Sequence, residues 1–288
     1  MNDPTLIVST EWLVQRLDDP AVIPVDATWY LPGEAGNGRE NYLQSHIPGA
    51  VYFDIDAISD TANPLPHMLP SEQAFAQAVG ALGIGNDSQV VVYDAKGLFS
   101  AARVWWMFRA FGHVKVAVLD GGLPKWRREG WPLDSGAVEP SPQRYSARLE
   151  TGMVADRQRI SEGLGQGTVQ VADARAAARF EGTVSEPRPG LRSGHIPGSV
   201  NLPFSDLLDP ATGELLPEPA LRRAFAERGI DLEQPLVTSC GSGVTAAVLY
   251  LAATTLGARK LELYDGSWAE WGDADSALPI ATGPASLS

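Results

Sequence analysis

The sequence contains two copies of one pattern, and this duplication constrains the fold more than any other feature. Val22-Ile-Pro-Val-Asp26 returns as Val169-Gln-Val-Ala-Asp173, 147 residues later. Three more matches follow in the same order: His46-Ile-Pro-Gly49 with His195-Ile-Pro-Gly198, Val90-Val-Val-Tyr-Asp94 with Leu236-Val-Thr-Ser-Cys240, and Leu119-Asp120-Gly-Gly with Tyr264-Asp265-Gly-Ser. Four matches in order indicate two copies of one domain.

The two copies divide the chain into two predicted domains. The first covers residues 1–135 and the second residues 151–288. Residues 136–150 contain Pro140, Ser141, Pro142 and Gln143, which is typical of an extended, polar linker.

Each copy alternates short β-branched runs with helical stretches, which predicts an α/β fold: a mostly parallel sheet flanked by helices. The predicted strands are residues 22–26, 50–54, 89–94 and 115–119, then 168–173, 200–203, 236–239 and 260–264. The predicted helices are residues 10–17, 71–82 and 101–111, then 156–163, 218–228 and 244–256.

Composition excludes several classes of function. The net charge is −13 and the basic residues form no run, which argues against nucleic acid as a partner. The longest apolar run, residues 246–253, is too short to span a bilayer, and the N-terminal residues lack the pattern of a signal peptide. A single cysteine excludes an internal disulfide framework, so we expect a reducing, cytoplasmic location.

That single cysteine, Cys240, lies between a predicted strand and a predicted helix, with Gly241 and Gly243 beside it. In such a turn, backbone N–H groups and the positive end of the helix favour an anion, and a thiolate there is a nucleophile at neutral pH. The alternative is a buried structural cysteine. The first copy has Asp94 at this position, so the second copy is the candidate catalytic domain.

The duplication, both His-Ile-Pro-Gly motifs and the Cys240-Gly-Ser-Gly-Val-Thr loop resemble the two-domain rhodanese-type sulfurtransferases. The loop in particular resembles that of the 3-mercaptopyruvate sulfurtransferases, and the resemblance extends over nearly the whole chain. It implies tandem rhodanese-like domains, an inactive first domain, and a second domain whose Cys240 carries a persulfide. Sulfur would pass from 3-mercaptopyruvate to a thiol or cyanide, releasing pyruvate, with no metal or organic cofactor.

The resemblance also implies roles for individual residues. Arg179 and Arg188 match two arginines that bind the substrate, and guanidinium groups suit its carboxylate and ketone. Ser242 matches a serine that assists proton movement. The remaining implied substrate contacts come from the loop: Gly241, Gly243, Val244 and Thr245.

A histidine is implied in a proton relay with the loop serine. Our alignment assigns this role to His46, with Asn37 where an aspartate is expected. The alternative is that His46 and His195 hold turns through imidazole hydrogen bonds.

Two rival functions remain. A thiosulfate sulfurtransferase typically carries basic residues directly after the cysteine, where this chain has Gly241 and Ser242. Rhodanese-like folds also include phosphatases, whose phosphate-binding arginine is replaced here by Ala246, and non-catalytic binding modules. The acceptor stays open among thioredoxin, a small thiol, cyanide and a tRNA-thiolation partner, and so does the oligomeric state.

Overall fold

The computed structural model describes residues 6–284, which form two compact units. The first unit contains residues 6–61, Leu69–Glu150 and Pro210–Leu215, and the second contains Ala62–Met68, Thr151–Asp209 and residues 216–284. Each unit therefore includes one short segment from the other half of the chain. Within the described residues, no helix has the length and apolar character needed to cross a membrane.

The first unit is built on a five-stranded parallel sheet of order β1-β5-β4-β2-β3. Its strands are β1 (Ile7–Val8), β2 (Val22–Asp26), β3 (Val51–Tyr52), β4 (Gln89–Tyr93) and β5 (Val116–Leu119). Its helices are α1 (Thr10–Val14), α2 (Gly38–Gln44), α3 (Glu72–Ala81), α4 (Ala101–Ala110) and α5 (Gly122–Arg128).

The second unit repeats this topology, with the order β6-β10-β9-β7-β8. Its strands are β6 (Val154–Ala155), β7 (Gln170–Asp173), β8 (Val200–Asn201), β9 (Leu236–Ser239) and β10 (Leu261–Tyr264). Its helices are α6 (Arg157–Gln166), α7 (Ala177–Phe180), α8 (Glu218–Glu227), α9 (Ala246–Thr255) and α10 (Ser267–Trp271), with 3₁₀ turns at Thr151–Met153 and Phe204–Leu207.

The most completely buried helices follow the central strands. In α9 every residue from Ala246 to Ala253 is buried, and in α4 only Arg109 is not fully buried. A helix that is apolar on all sides must be covered on all sides, so α9 has little freedom to move. The strand β9 and the helix α9 thus provide a rigid frame for the turn that joins them.

The structure confirms the predicted α/β fold with two parallel sheets, and it adds elements that the sequence did not predict. The edge strands β1 and β6 are two residues long and carry too few residues to show an alternating pattern. The short helices α2, α5, α7 and α10 were also missed, because a helix of one or two turns shows little periodicity.

Candidate functional site

Cys240 follows β9 directly, and residues 240–245 form the loop that leads into α9. The residue is only 2% exposed. Its N–H donates to Ser267 Oγ over 3.2 Å, and its carbonyl accepts from the Trp268 N–H over 2.9 Å. Gly243 has φ +75°, a conformation that strongly favours glycine. The loop is therefore fixed at both peptide groups of the cysteine.

Arg179, from α7, lies against the start of this loop. A Cβ atom placed on Gly241 would be 2.9 Å from Nη2 of Arg179, so the guanidinium occupies the space that a side chain at position 241 would need. Glu186 accepts hydrogen bonds from Nε and Nη2 of Arg179. The side chain of Arg179 is 21% exposed and that of Glu186 only 1%, so the buried carboxylate anchors a partly accessible cation.

Glu186 belongs to a larger buried ion-pair network. Arg175 donates to Glu186 over 2.8 Å and to both carboxylate oxygens of Asp173. Burial alone lowers the pKa of Arg175, but the two carboxylates outweigh it and raise that pKa above its ordinary value. Two cations and two anions thus share one network, which removes the charge imbalance that would make burial unfavourable.

Two side chains lie within hydrogen-bond distance of the Ser242 hydroxyl. Arg188 donates from Nη1 over 3.3 Å, and Nδ1 of His67 lies 3.0 Å away. Because Arg188 can only donate, Ser242 Oγ accepts from it and keeps its own hydrogen for another partner. With Nδ1 unprotonated, His67 accepts that hydrogen; with Nδ1 protonated, it donates instead. The pair can therefore transfer a proton.

The sequence did not predict a role for His67. It lies in Ala62–Met68, the segment of the first copy that belongs to the second unit. It is 4% exposed and has φ +62°, which is uncommon for a residue with a side chain. A weak signal existed: His67 has no histidine counterpart in the second copy, and Pro64 and Pro66 precede it in a segment with little helix or strand propensity.

Among the hydrogen bonds of the described residues, His46 bonds within its own turn and not to Ser242. Its Nδ1 bonds to the carbonyl of Tyr42 over 2.8 Å, and its ring stacks on Tyr42. His195 repeats this arrangement with Phe180, at 2.9 Å and with a stacked ring. The two histidines hold equivalent turns, as the alternative interpretation expected, and the histidine at Ser242 is His67.

The position of Asn37 has a local explanation. Its side chain accepts from the Glu40 N–H over 3.1 Å and caps the N-terminus of α2. Asn37 is thus a helix cap, and its match to the aspartate of a relay stays a prediction from the alignment.

The remaining loop residues have mixed surroundings. Val244 is buried, whereas Gly241 and Thr245 are partly exposed. Thr245 precedes α9 and makes no side-chain cap hydrogen bond. Gly241 and Thr245 are therefore the loop residues with surface open to a ligand.

The first unit shows what the equivalent turn can bind. Oδ2 of Asp94 accepts the N–H groups of Phe99, Ser100 and Ala101 over 2.7–2.9 Å, and Oδ1 accepts that of Lys96 over 2.8 Å. The loop after the central strand thus surrounds one anionic group with converging N–H donors. In the second unit, Cys240 begins the corresponding turn.

The rhodanese-like domain family matches residues 9–129 and 156–274. A human protein named 3-mercaptopyruvate sulfurtransferase is 47% identical over 271 residues, with 92% of this chain and 91% of that protein aligned. An Arabidopsis thaliana protein named thiosulfate/3-mercaptopyruvate sulfurtransferase 1, mitochondrial, is 44% identical over 295 residues, covering 95% of this chain and 77% of its own length.

The fold agrees with these alignments. The crystal structure of the 3-mercaptopyruvate sulfotransferase SseA from Escherichia coli superposes with a TM-score of 0.85 at 44% identity, covering 92% of this chain and 99% of that one. Since both copies match the family domain and the relatives align along most of the chain, the chain belongs to the rhodanese family, with two rhodanese-like domains.

Proposed function

We propose that the chain transfers sulfur from 3-mercaptopyruvate to a thiol or cyanide acceptor through a persulfide on Cys240, and releases pyruvate. The observation that carries this proposal is that Arg179 and Arg188 both reach the loop that begins at Cys240, one beside Gly241 and one at Ser242. The human and Escherichia coli relatives are named for 3-mercaptopyruvate, which supports the same sulfur donor.

The reaction balances without another reagent. The Cys240 thiolate attacks the sulfur of the substrate, so that an S–S bond forms and the C–S bond breaks. The electron pair of the C–S bond passes to the carbon as an enolate, and the proton of the substrate thiol moves to that carbon, which completes pyruvate. Ser242 and His67, 3.0 Å apart, are the groups that pass this proton on.

The two arginines bind the part of the substrate away from the sulfur. Glu186 fixes Arg179 by Nε and Nη2 and leaves Nη1 for the substrate. A fixed guanidinium stabilises the charge that develops on the ketone oxygen without first having to reorganise. Arg188 donates to the hydroxyl of Ser242, so a substrate that binds Arg188 lies beside the group proposed to move the proton.

The first domain is proposed to be catalytically inactive. The Asp94 carboxylate accepts the backbone N–H groups of the turn that follows it, and this position has no thiol. Residues 1–135, 136–150 and 151–288 stay our prediction for the inactive domain, the linker and the catalytic domain.

Thiosulfate is the second candidate donor, because the Arabidopsis relative is named for both donors. In this chain, Gly241 and Ser242 offer no cation to a dianion. A side chain at position 241 also requires Arg179 to shift. These features favour mercaptopyruvate, and we expect a preference of at least about 100-fold in kcat/KM over thiosulfate.

The test is a single turnover without acceptor. Wild-type protein mixed with one equivalent of 3-mercaptopyruvate should release one pyruvate per chain in a burst and keep the sulfur on Cys240; an excess is avoided because the thiol of the substrate can itself discharge a persulfide. Cys240→Ser should release none. A burst of the same size from Cys240→Ser contradicts the proposal.

The acceptor and the compartment are also proposals. A thiol such as thioredoxin or a small thiol fits the chemistry of a persulfide, whose outer sulfur a thiolate can attack. The cytoplasm stays the predicted location, while the Arabidopsis relative is named mitochondrial. Comparing the rates at which purified thiols discharge the persulfide identifies the preferred acceptor.

A further inference from the structure

Ser267, the first residue of α10, has a backbone conformation that does not suit a serine. Its φ is +47°, and within residues 6–284 only one other non-glycine residue, His67, has a positive φ. For a residue with a Cβ atom, this region is sterically unfavourable. Ser267 is also completely buried. The first residue of α10 is therefore a strained and fully buried serine.

The first copy has glycine at the matching position. Asp120-Gly-Gly122 corresponds to Asp265-Gly-Ser267, and Gly122 has φ +52°. The backbone conformation is thus common to both units, and glycine adopts it readily. The copy that contains the cysteine therefore has the residue that suits this backbone conformation less well. We infer that the side chain of Ser267 makes a contribution that glycine cannot make.

The hydroxyl of Ser267 connects the cysteine to the sheet. Oγ accepts from the Cys240 N–H over 3.2 Å and donates to the Tyr264 carbonyl, at the end of β10, over 2.7 Å. The next residue, Trp268, donates its N–H to the Cys240 carbonyl over 2.9 Å. Both backbone groups of Cys240 are thus bound by two successive residues of α10.

The first unit has no room for a side chain at the position that matches Ser267. In the first unit, a Cβ placed on Gly122 would be 2.6 Å from the carbonyl oxygens of Asp94 and Gly97. That loop lies too close to admit a side chain. In the second unit Ser267 occupies this position, while the matching backbone bond keeps its length: the Trp268 N–H donates to the Cys240 carbonyl over 2.9 Å and the Leu123 N–H to the Asp94 carbonyl over 3.0 Å.

We propose that Ser267 is a positioning residue for sulfur transfer: its hydroxyl ties the backbone of Cys240 to the end of β10, so that the thiol keeps its place in the turn that leads into α9. The proposal deepens the proposed function and rests on it. It assigns the difference between the active and the inactive copy to two positions, Cys240 and Ser267, rather than to the cysteine alone.

Three variants test this role. Ser267→Ala keeps the Cβ and removes both hydrogen bonds, and Ser267→Gly also removes the Cβ but suits φ +47°. Ser199→Ala is the matched control: Ser199 is buried, and its hydroxyl donates to the carbonyl three residues earlier, Ile196, over 2.6 Å, as Ser267 does to Tyr264. Ser199 makes no contact with the cysteine loop among the hydrogen bonds of the described residues.

We expect Ser267→Ala and Ser267→Gly each to lower kcat by about 10- to 100-fold with KM within about threefold of wild type, because both remove the same hydroxyl. The melting temperatures of both should fall no more than that of Ser199→Ala, which should keep wild-type kcat. Ser267→Gly decides the result if Ser267→Ala does not fold, because glycine relieves the strain.

A second readout needs no sulfur donor. Alkylation of Cys240 by iodoacetamide should be slower in both Ser267 variants and unchanged in Ser199→Ala, because the thiol is no longer held in the turn before α9, where the positive end of the helix favours the thiolate. Wild-type kcat and alkylation rates in folded Ser267 variants overturn the positioning role. Failure of wild type to take up sulfur from mercaptopyruvate instead overturns the proposed function, and the alkylation rates then still decide the role of Ser267.

Discussion

At the scale of single residues, the site depends on how rigidly each charged group is held. Glu186 binds Arg179 with a carboxylate that is almost fully buried, and Arg175 holds Glu186 from the other side. A guanidinium anchored in this way loses little conformational freedom when a substrate binds. Removing Arg179 should therefore lower the rate of the reaction more than the stability of the fold.

Arg179→Ala should lower kcat/KM for mercaptopyruvate by about 30- to 1000-fold, because a charge-assisted hydrogen bond worth about 2–4 kcal/mol is lost in the transition state. Arg179→Lys should recover little, since an ammonium lacks the planar fork that Glu186 and the substrate share. Steady-state kinetics measure both. The control is Arg222→Ala, which removes an exposed pair with Glu218 and should leave kcat/KM unchanged.

His67 and His46, both in the first copy, should behave in opposite ways. His67→Gln should lower kcat by about 100-fold or more, because the group that exchanges a proton with Ser242 is lost. His46→Gln should keep kcat but melt at a lower temperature, because it loses the bond to Tyr42 and the stacked ring. Equal effects of the two changes on kcat contradict this division.

At the scale of elements, the equivalent ends of β2 and β7 each carry a buried aspartate, but the two carboxylates have different partners. Asp173, at the end of β7, pairs with Arg175, whereas Asp26, at the end of β2, has Thr28 where the arginine would be. Burial raises the pKa of Asp26 to about 6, partly offset by hydrogen bonds from Thr28 and Tyr93. The ionised form is therefore less favourable in the folded protein than in the unfolded chain.

The sign of the pH dependence follows from this shift. From its ordinary 3.8 to about 6, the folded state binds the proton of Asp26 and the unfolded state does not, so stability falls as pH rises. At pH 8, Asp26→Asn should be more stable than wild type by on the order of 1–3 kcal/mol, and the difference should vanish below pH 4. Urea unfolding at several pH values measures it.

The matched change in β7 should have the opposite effect. Asp173→Asn breaks a buried pair with Arg175 and should lower the free energy of unfolding by about 3 kcal/mol at neutral pH. If both variants change stability in the same direction at pH 8, the account of these strand ends is wrong.

At the scale of the whole molecule, the chain carries two copies of one fold with different chemistry. The duplication, the parallel sheets and the strand-to-helix position of Cys240 could be predicted, because each depends on local pattern repeated in order. His67 could not be assigned, because Ala62–Met68 lies in the unit of the other copy and its φ of +62° has no sequence signature. The family resemblance, by contrast, implied a relay role for His46, whose Nδ1 bonds to the Tyr42 carbonyl of its own turn.

Asp94 tests the division of labour between the copies. Asp94→Asn removes a charge that accepts four backbone N–H groups, so the free energy of unfolding should fall by about 1–3 kcal/mol. The turnover number of the folded protein should stay within about twofold of wild type, since no step of the reaction uses Asp94. A folded variant with a large loss of turnover contradicts an inactive first copy.

The central claim is that sulfur passes through Cys240, and mass spectrometry of the protein after treatment with 3-mercaptopyruvate tests it most directly. The intact chain should gain the mass of one sulfur atom, the peptide that contains Cys240 should carry it, and an added thiol should remove it. Cys240→Ser should gain nothing. Turnover of mercaptopyruvate without this mass gain, or a gain retained by Cys240→Ser, contradicts the account.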